Sequence, residues 1–220
     1  LVGSGSLILG YMFNLQFIIF FGILNLAIFL VTAIPFKGQF KSDGRVMLDL
    51  LSNGKELDQF ISSLILMKEM MTPVHPTLWS SNLVEQARIV QPSEDNIGTS
   101  YLLFYYDLLM HDFETASQAV TEYKTLQVTK KNKMTMQFIT HLKQLDLVMQ
   151  GHEAVEELRE LHSMMTSMEP VSYKRSEWMI AKLSGNEALV SKKLAEHRKE
   201  IEKGKSQFGF FYAEERLTDL

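Results

Sequence analysis

The chain has 220 residues, of which 46% are apolar and 22% are charged, and this composition excludes wholesale disorder. A formal net charge of −4 and a sequence pI near 5.9 argue against a nucleic-acid-binding protein, which usually carries a basic face. The absence of cysteine excludes a disulfide scaffold and any cysteine-ligated zinc or iron–sulfur site. The charges are unevenly distributed, because the first charged residue is Lys37.

The chain opens with an uncharged apolar segment. Its run from residue 7 to residue 36 is interrupted by four polar side chains, Asn14, Gln16, Asn25 and Thr32. A membrane-spanning helix needs about 20 apolar residues to cross roughly 30 Å of hydrocarbon. The length of the run and the lack of a basic start argue against a cleaved signal peptide. We predict a transmembrane helix over roughly residues 9–34, with its surplus length taken up by tilt, a break near Gly22 or a partly re-entrant end.

The flanking charges predict how this segment is oriented. Lys37, Lys41 and Arg45 follow it against a single early acid, Asp43, and positive flanks mark the cytoplasmic side of a cell membrane. The charged remainder of the chain is therefore expected in the cytoplasm.

The start at Leu1, in a small-residue stretch without methionine, suggests that upstream sequence is missing or was removed. The complete protein is expected to be multi-pass.

Two amides inside the apolar segment predict neighbours in the bilayer. Asn14 and Asn25 need hydrogen-bond partners there, because an unsatisfied amide in hydrocarbon costs several kcal/mol. Contacts with other transmembrane helices would satisfy them, and so would a polar cavity.

A short loop after the apolar segment carries the candidate chemistry. Pro35 is expected to end the helix, and Gly38 and Gly44 permit a tight turn before a short apolar-periodic helix. Asp43 would then lie at the start of that helix, close to the membrane. It could be a helix N-cap or a turn residue in Ser-Asp-Gly. It could also be a metal ligand, because a carboxylate at membrane depth is costly unless it is paired or binds a cation.

The order of these features resembles the site-2 protease family of intramembrane zinc metallopeptidases. The shared pattern is a long apolar helix, a small polar residue, proline, a short loop, Ser-Asp-Gly and a short apolar helix, over about residues 1–52. The resemblance implies that Asp43 is the third zinc ligand, Gly44 the permissive turn residue and Pro35 the break before the loop. Two histidines and a general-base glutamate from an HExxH helix in an earlier span would complete the site. Zinc bound in this way lowers the pKa of its water for attack on a peptide carbonyl.

The sequence departs from that family in two respects. The family's asparagine three residues before the proline is replaced by Thr32, so Thr32 or the more distant Asn25 would contact the substrate strand. The sequence also contains no HExxH, and its nearest run, HEAVE at residues 152–156, lacks the second histidine. The 220 residues alone are therefore expected to be inactive. The other histidines are expected at the surface or the edge of the core, namely His75, His111, His141, His162 and His197.

The rest of the chain predicts a helical domain. Apolar residues from Leu57 to Met71 recur at helical spacing and predict one buried stripe; they are Leu57, Phe60, Ile61, Leu64, Met67 and Met71. Further helices are predicted over residues 76–91, 98–111, 113–127, 131–149, 152–167, 171–184 and 186–203. Strand-like alternation occurs only near Phe208–Tyr212.

An internal repeat predicts how these helices stack. GHEAV at residues 151–155 recurs as GNEAL at residues 185–189, and DFETA at residues 112–116 is a looser copy. The offset of 34 residues is the period of tetratricopeptide helix pairs. A degenerate tetratricopeptide-like array is therefore predicted, and a generic stack of helical hairpins is the alternative.

Together these features predict an all-α protein with one long transmembrane helix and a soluble solenoid of antiparallel helical hairpins. Its parts are a transmembrane segment (1–36), the Asp-Gly loop and short helix (37–53) and a cytoplasmic helical-repeat domain (54–220). We expect the C-terminal part of a membrane zinc metallopeptidase whose repeats bind a protein or peptide partner. The alternative is a non-enzymatic, membrane-anchored helical-repeat adaptor, in which Asp43 only caps a helix.

Overall fold

A computed structural model describes residues 2–35, 42–51, 54–94, 96–150, 154–167 and 169–220. Across these ranges the structure is helical and contains no β-strand. In chain order the α-helices are α1 (Val2–Met12), α2 (Gln16–Ala33), α3 (Asp43–Leu51), α4 (Lys55–Met70), α5 (Ser81–Arg88), α6 (Ile97–Met110), α7 (Phe113–Ala119), α8 (Thr121–Lys124), α9 (Gln137–Gln150), α10 (Val155–Met164), α11 (Pro170–Leu183), α12 (Glu187–Lys205) and α13 (Phe211–Leu217). A short 3₁₀ helix, Pro76–Leu78, precedes α5. The chain forms two compact units, residues 1–57 and 58–220.

The first unit begins with an antiparallel hairpin of α1 and α2. The chain reverses at Asn14, whose φ of 53° is in the left-handed region that Asn tolerates. Glycines allow the two helices to approach closely. A Cβ atom on Gly22 would lie 2.8 Å from the Leu7 side chain, and one on Gly10 would lie 2.8 Å from Ile19.

This hairpin corrects the predicted span. The apolar segment does not form one helix over residues 9–34, because the turn at Asn14 divides it and α2 begins at Gln16. Helix α2 continues unbroken through Gly22, so the expected break is absent there. With 18 residues and a mean hydropathy of 2.2, α2 is long and apolar enough to cross a membrane. Its length of about 27 Å is close to the thickness of the hydrocarbon layer.

The second unit is built around α6. Most of this helix is buried on all sides, as expected for a helix that is apolar around its whole circumference. Helices α9, α11 and α13 pack around it with the buried side chains of Leu142, Met179 and Leu217. Both tryptophans, Trp79 and Trp178, lie in this core.

The side of helix α4 that faces the protein core is opposite to the predicted one. The residues buried against the second unit are Ser62, Ser63, Leu66 and Met70. The predicted buried stripe instead faces outward, and Ile61, Leu64, Met67 and Met71 are exposed. The prediction of the helix was correct, but the side that contacts the protein core was wrong.

Several other predictions are corrected in the second unit. The helix predicted over residues 113–127 is divided at Val120 into α7 and α8, and the one predicted over 131–149 begins only at Gln137. The alternation near residues 208–212 does not form a strand, because α13 begins at Phe211. His141 and His197 are fully buried, so their predicted surface or edge positions were wrong.

Part of the predicted repeat can be located in the structure. Two of its copies precede helices, and each has a side-chain cap, but at different positions of the repeat. Asp112, the first residue of its copy, accepts from the backbone N–H of Thr115 (2.8 Å), whereas Asn186, the second residue of its copy, accepts from that of Leu189 (3.1 Å). Residues 151–153 of the first copy lie outside the described residues. Between α11 and α12 the chain turns at Gly185, whose φ is +70°.

Candidate functional site

The predicted loop residues meet at the carboxyl end of α2. Helix α2 ends with the backbone N–H of Ile34 donating to the Leu30 carbonyl at 3.1 Å, and Pro35 follows. A proline cannot donate the next backbone hydrogen bond, so the helix stops here. The predicted turn residue Gly38 and the flanking Lys37 and Lys41 lie outside the described residues.

Ser42 joins the end of α2 to the start of α3. Its hydroxyl donates to the Ile34 carbonyl at 2.7 Å and accepts from the backbone N–H of Arg45 at 3.3 Å. The second contact is that of an N-cap, and the Val46 N–H also donates to the Ser42 carbonyl at 3.0 Å. Ser42 therefore caps α3, and the carboxylate of Asp43 does not serve as the cap.

Gly44 determines how closely α3 approaches α2. A Cβ atom at this position would lie 1.9 Å from the Ala33 carbonyl oxygen, so no larger residue fits without moving the helices apart. Gly44 lies inside α3, and it is not one of the two described glycines with positive φ, which are Gly54 and Gly185. It is therefore required for close packing and not for a left-handed turn.

Asp43 occupies the first turn of α3, and its side chain is exposed. At 3.6 residues per turn it lies on the same side of the helix as Met47 and Leu50. Both of those apolar residues are also exposed. Among the residues that the structure describes, none forms an ion pair with Asp43.

The other acid of α3 has a different environment. Asp49 pairs with Arg45 at 3.1 Å, and both residues lie on the side of α3 opposite Asp43. The helix therefore places its ion pair on one face and a single carboxylate at the end of its apolar face.

Thr32 and Asn25 make hydrogen bonds within α2. The Thr32 hydroxyl donates to the Ile28 carbonyl at 3.0 Å, and the Asn25 amide donates to the Phe21 carbonyl at 2.8 Å. These bonds to the preceding turn satisfy side-chain donors inside a helix. The structure thus brings Pro35, Asp43 and Gly44 to one place, whereas the donors of Thr32 and Asn25 are engaged along the helix.

A second group of polar residues, which the sequence analysis missed, lies inside the second unit. Arg175 and Glu214 form a fully buried ion pair, with Arg175 Nη1 2.5 Å from Glu214 Oε2. The Tyr105 hydroxyl donates to the other oxygen of Glu214. The guanidinium also lies 3.4 Å from Nδ1 of His141. These four residues come from α6, α9, α11 and α13 and hold the centre of the unit together.

The charge states of this buried cluster follow from its geometry. Burial acts to lower the pKa of Arg175, but the Glu214 carboxylate outweighs it and the pKa is raised well above its usual value. Burial and the Arg175 charge keep the pKa of His141 well below its usual range. Arg175 thus stays charged and His141 stays neutral near neutral pH, and the cluster acts as a structural ion pair.

The cluster had a recognisable signal in the sequence. Arg175 falls at helical spacing between Val171 and Trp178, on the buried face of α11. Glu214 falls in the same way between Phe211 and Leu217. A charged residue on an otherwise apolar stripe requires a buried partner of opposite charge.

A groove of the second unit lies beside α12 and α13. It has a volume of about 600 Å³ and is lined by residues including His75, Arg198, Tyr212 and Arg216. The acids along it are paired, since Lys205 lies 2.9 Å from Glu202 and 2.6 Å from Glu215, and Arg216 lies 2.8 Å from Asp219.

The chain by itself does not assemble a metal centre in the part that the structure describes. No three His, Cys, Asp or Glu side chains converge there on a common point. A zinc ion takes three or four protein ligands, so Asp43 could supply only one of them. No family model matches the sequence, and no curated protein or solved structure is similar to it by sequence or fold.

Proposed function

We propose that the chain is part of a membrane-embedded zinc metallopeptidase resembling the site-2 protease family, in which Asp43 contributes one zinc ligand. The observation that supports this proposal is the position of Asp43. Its exposed carboxylate has no ionic partner among the described residues, and it lies on the apolar face of α3, at the end of a helix long enough to span a membrane. A carboxylate near hydrocarbon needs a compensating cation.

The remaining zinc ligands would come from outside these 220 residues. Two histidines and a general-base glutamate of an HExxH helix would complete the set, because the present sequence has no such motif. Zinc would activate a water molecule for peptide-bond hydrolysis. The residues present here would hold the Asp43 carboxylate in place, with Ser42 fixing the start of α3 and Gly44 allowing its approach to α2.

The proposal extends to the second unit and to the membrane topology. Residues 54–220 would form a degenerate tetratricopeptide-like domain in the cytoplasm that binds a protein or peptide partner. Its support is the 34-residue recurrence. Lys37, Lys41 and Arg45 support the cytoplasmic orientation. The proposed zinc ligands outside these residues would lie on further transmembrane helices of a multi-pass protein.

The test compares two aspartates of the same helix. In the full-length protein, purified in detergent, Asp43→Asn removes the proposed ligand, whereas Asp49→Asn removes a carboxylate that pairs with Arg45 on the opposite face of α3. We expect about one zinc per chain in the unsubstituted protein and in the Asp49→Asn variant, and almost none in Asp43→Asn. Elemental analysis of the purified proteins measures the zinc content, and circular dichroism checks that each variant is folded.

Proteolysis of a membrane substrate by the full-length protein gives the second readout. The proposal predicts that Asp43→Asn abolishes zinc-dependent cleavage and Asp49→Asn retains it. If the full-length protein binds no zinc, or if both variants bind it equally, the metallopeptidase proposal is wrong. That result would favour the alternative, a non-enzymatic, membrane-anchored helical-repeat adaptor.

A further inference from the structure

Helix α4 has two apolar sides, and only one of them is used within the second unit. Leu66 and Met70 are buried in the core, and the end of the Met67 side chain lies close to Gly98 at the edge between the two sides. On the other side lies a set of exposed apolar residues, here called the outer stripe: Ile61, Leu64, Ile65, Met67 and Met71. Their side chains are 38–56% exposed, although isolated exposed residues of this size are more usual on soluble proteins.

The outer stripe covers a broad arc of the helix. At 100° per residue its five members fall within about 160°. Lys68 lies inside this arc, between Leu64 and Ile61, and its side chain is exposed. A lysine within an apolar face is favourable at a membrane surface, because its stem lies along the apolar groups while its ammonium reaches the headgroups.

The outer stripe is the last part of a continuous apolar series in the chain. Exposed large apolar side chains occur throughout α1 and α2, continue on α3 at Met47, Leu48, Leu50 and Leu51, and end on α4 at Met71. Beyond Met71 the described exposed residues of this kind are isolated: Leu78, Ile89, Met110, Met134, Met149 and Leu189. In the sequence, the outer stripe therefore comes after the candidate membrane span and α3. It has more exposed large apolar side chains than any other part of the second unit that the structure describes.

We propose that the outer stripe lies on the surface of the lipid bilayer and fastens the second unit to the membrane. This inference rests on the membrane location in the proposed function, but it requires neither zinc nor proteolysis. The stripe residues enter the boundary between headgroups and acyl chains, and Lys68 pairs with anionic headgroups. Lipid fits this surface better than a second copy of the chain, because a lysine at the centre of a self-complementary apolar contact would face its own copy.

Site-directed spin labelling can test this placement, because these 220 residues contain no cysteine. Any cysteine elsewhere in the full-length protein is first replaced by serine. The full-length protein is reconstituted in nanodiscs containing anionic lipid, with a nitroxide at Leu64→Cys in the stripe. Leu78→Cys is the matched control, since Leu78 is an exposed leucine outside α4. Ile28→Cys reports the middle of α2. Relaxation by oxygen and by a water-soluble nickel complex gives the depth of each label.

We expect the label at position 64 to lie roughly 5–10 Å below the phosphate level and the label at position 78 to be in water. If the label at position 64 is as accessible to nickel as the label at position 78, the proposal is wrong. Spectral broadening between copies at position 64 would instead show self-association and would also overturn it. A deep label at position 28 with an aqueous label at position 64 rejects only this inference, whereas aqueous labels at both positions also reject the membrane location in the proposed function.

Discussion

The residues before and after Met71 differ in how many large apolar side chains they expose. Of the 32 large apolar side chains exposed among the described residues, 26 lie between Val2 and Met71, although this region is less than a third of the chain. From Thr72 onward most large apolar side chains lie in the core, and only six of those described are exposed. The first region therefore differs in surface from the second, and it includes α2, a helix long and apolar enough to cross a membrane.

Polar side chains differ between the two regions in the same way. In α2, Asn25 and Thr32 donate to carbonyls of their own helix, so these hydrogen bonds are made within the helix itself. In the second unit, buried charges pair across helices, as Arg175 does with Glu214. Arg88 likewise contacts both carboxylate oxygens of the buried Asp107, at 2.7 and 2.5 Å. The first arrangement suits a helix in lipid and the second suits a closed core.

Breaking the buried ion pair gives the largest expected effect on the second unit. Glu214→Ala leaves Arg175 buried and unpaired, which costs about 3–5 kcal/mol of unfolding free energy. Fluorescence of the two tryptophans during urea unfolding measures this loss, since both are buried in this unit.

The neighbouring acid is the control. Glu215 is about half exposed and pairs with Lys205, so Glu215→Ala should cost less than about 1 kcal/mol. Equal effects of the two substitutions would mean that the buried pair does not hold the core. Replacing Arg175 and Glu214 together by methionine and leucine should recover most of the stability, because no uncompensated charge remains.

In the first unit the contact between α2 and α3 can be disrupted at Gly44. Gly44→Ala places a methyl group against the Ala33 carbonyl and should destabilise the contact by about 1–3 kcal/mol. Amide hydrogen exchange of α3 in the detergent-solubilised protein measures the change.

Gly5→Ala is the matched control, because a Cβ atom there meets no atom within 4 Å. Alanine in a helix is otherwise more stable than glycine by about 0.5–1 kcal/mol, so this substitution should be neutral or stabilising. Slower exchange in Gly44→Ala would contradict the close approach of the two helices.

The smallest effect is a pH dependence of the second unit. Burial, the largest cause, lowers the pKa of His197 to about 4, whereas an unfolded histidine has a pKa of about 6.5. As the pH falls from about 6.5 to 4, the unfolded chain binds a proton that the folded one does not. Stability is therefore lost over this window, by about 1 kcal/mol between pH 6 and pH 5 for this residue.

Urea unfolding at several pH values measures this loss of stability. His197→Gln should flatten the dependence by about one proton, while His141, whose pKa is also lowered by burial, continues to contribute. His111 is exposed, so His111→Gln serves as the control with an unchanged slope. An unchanged slope in His197→Gln would show that this imidazole is not kept neutral by the fold.

The sequence-based predictions were most accurate for helices whose ends are marked by a proline or a capping residue. Helices α6, α11 and α12 begin and end within two residues of their predicted limits. Each combines an apolar repeat with a distinct boundary, such as Pro170 at the start of α11 or Asn186 before α12. The position of Asp43 in the first turn of α3 follows from the same signals.

Other features could not be predicted because they depend on tertiary contacts. The apolarity of a side chain alone does not show whether it is buried in the protein core. The sequence analysis therefore assigned the wrong side of α4 to the core. The turn at Asn14 interrupts an apolar run that has no charge and no proline before Pro35, and its signal was a single residue that tolerates positive φ. Gly209 donates to the Thr72 carbonyl at 2.6 Å, a tertiary contact that favours a turn before α13 over a strand.

The buried pair of Arg175 and Glu214 also has a consequence for biosynthesis. The arginine belongs to α11 and its counter-charge to α13, which leaves the ribosome later. Until α13 has emerged, Glu214 is not available to pair with the Arg175 guanidinium. Burying the guanidinium without this carboxylate is unfavourable. The centre of the second unit therefore closes only late in translation, and a premature stop before Glu214 would leave a nascent chain whose interior cannot form.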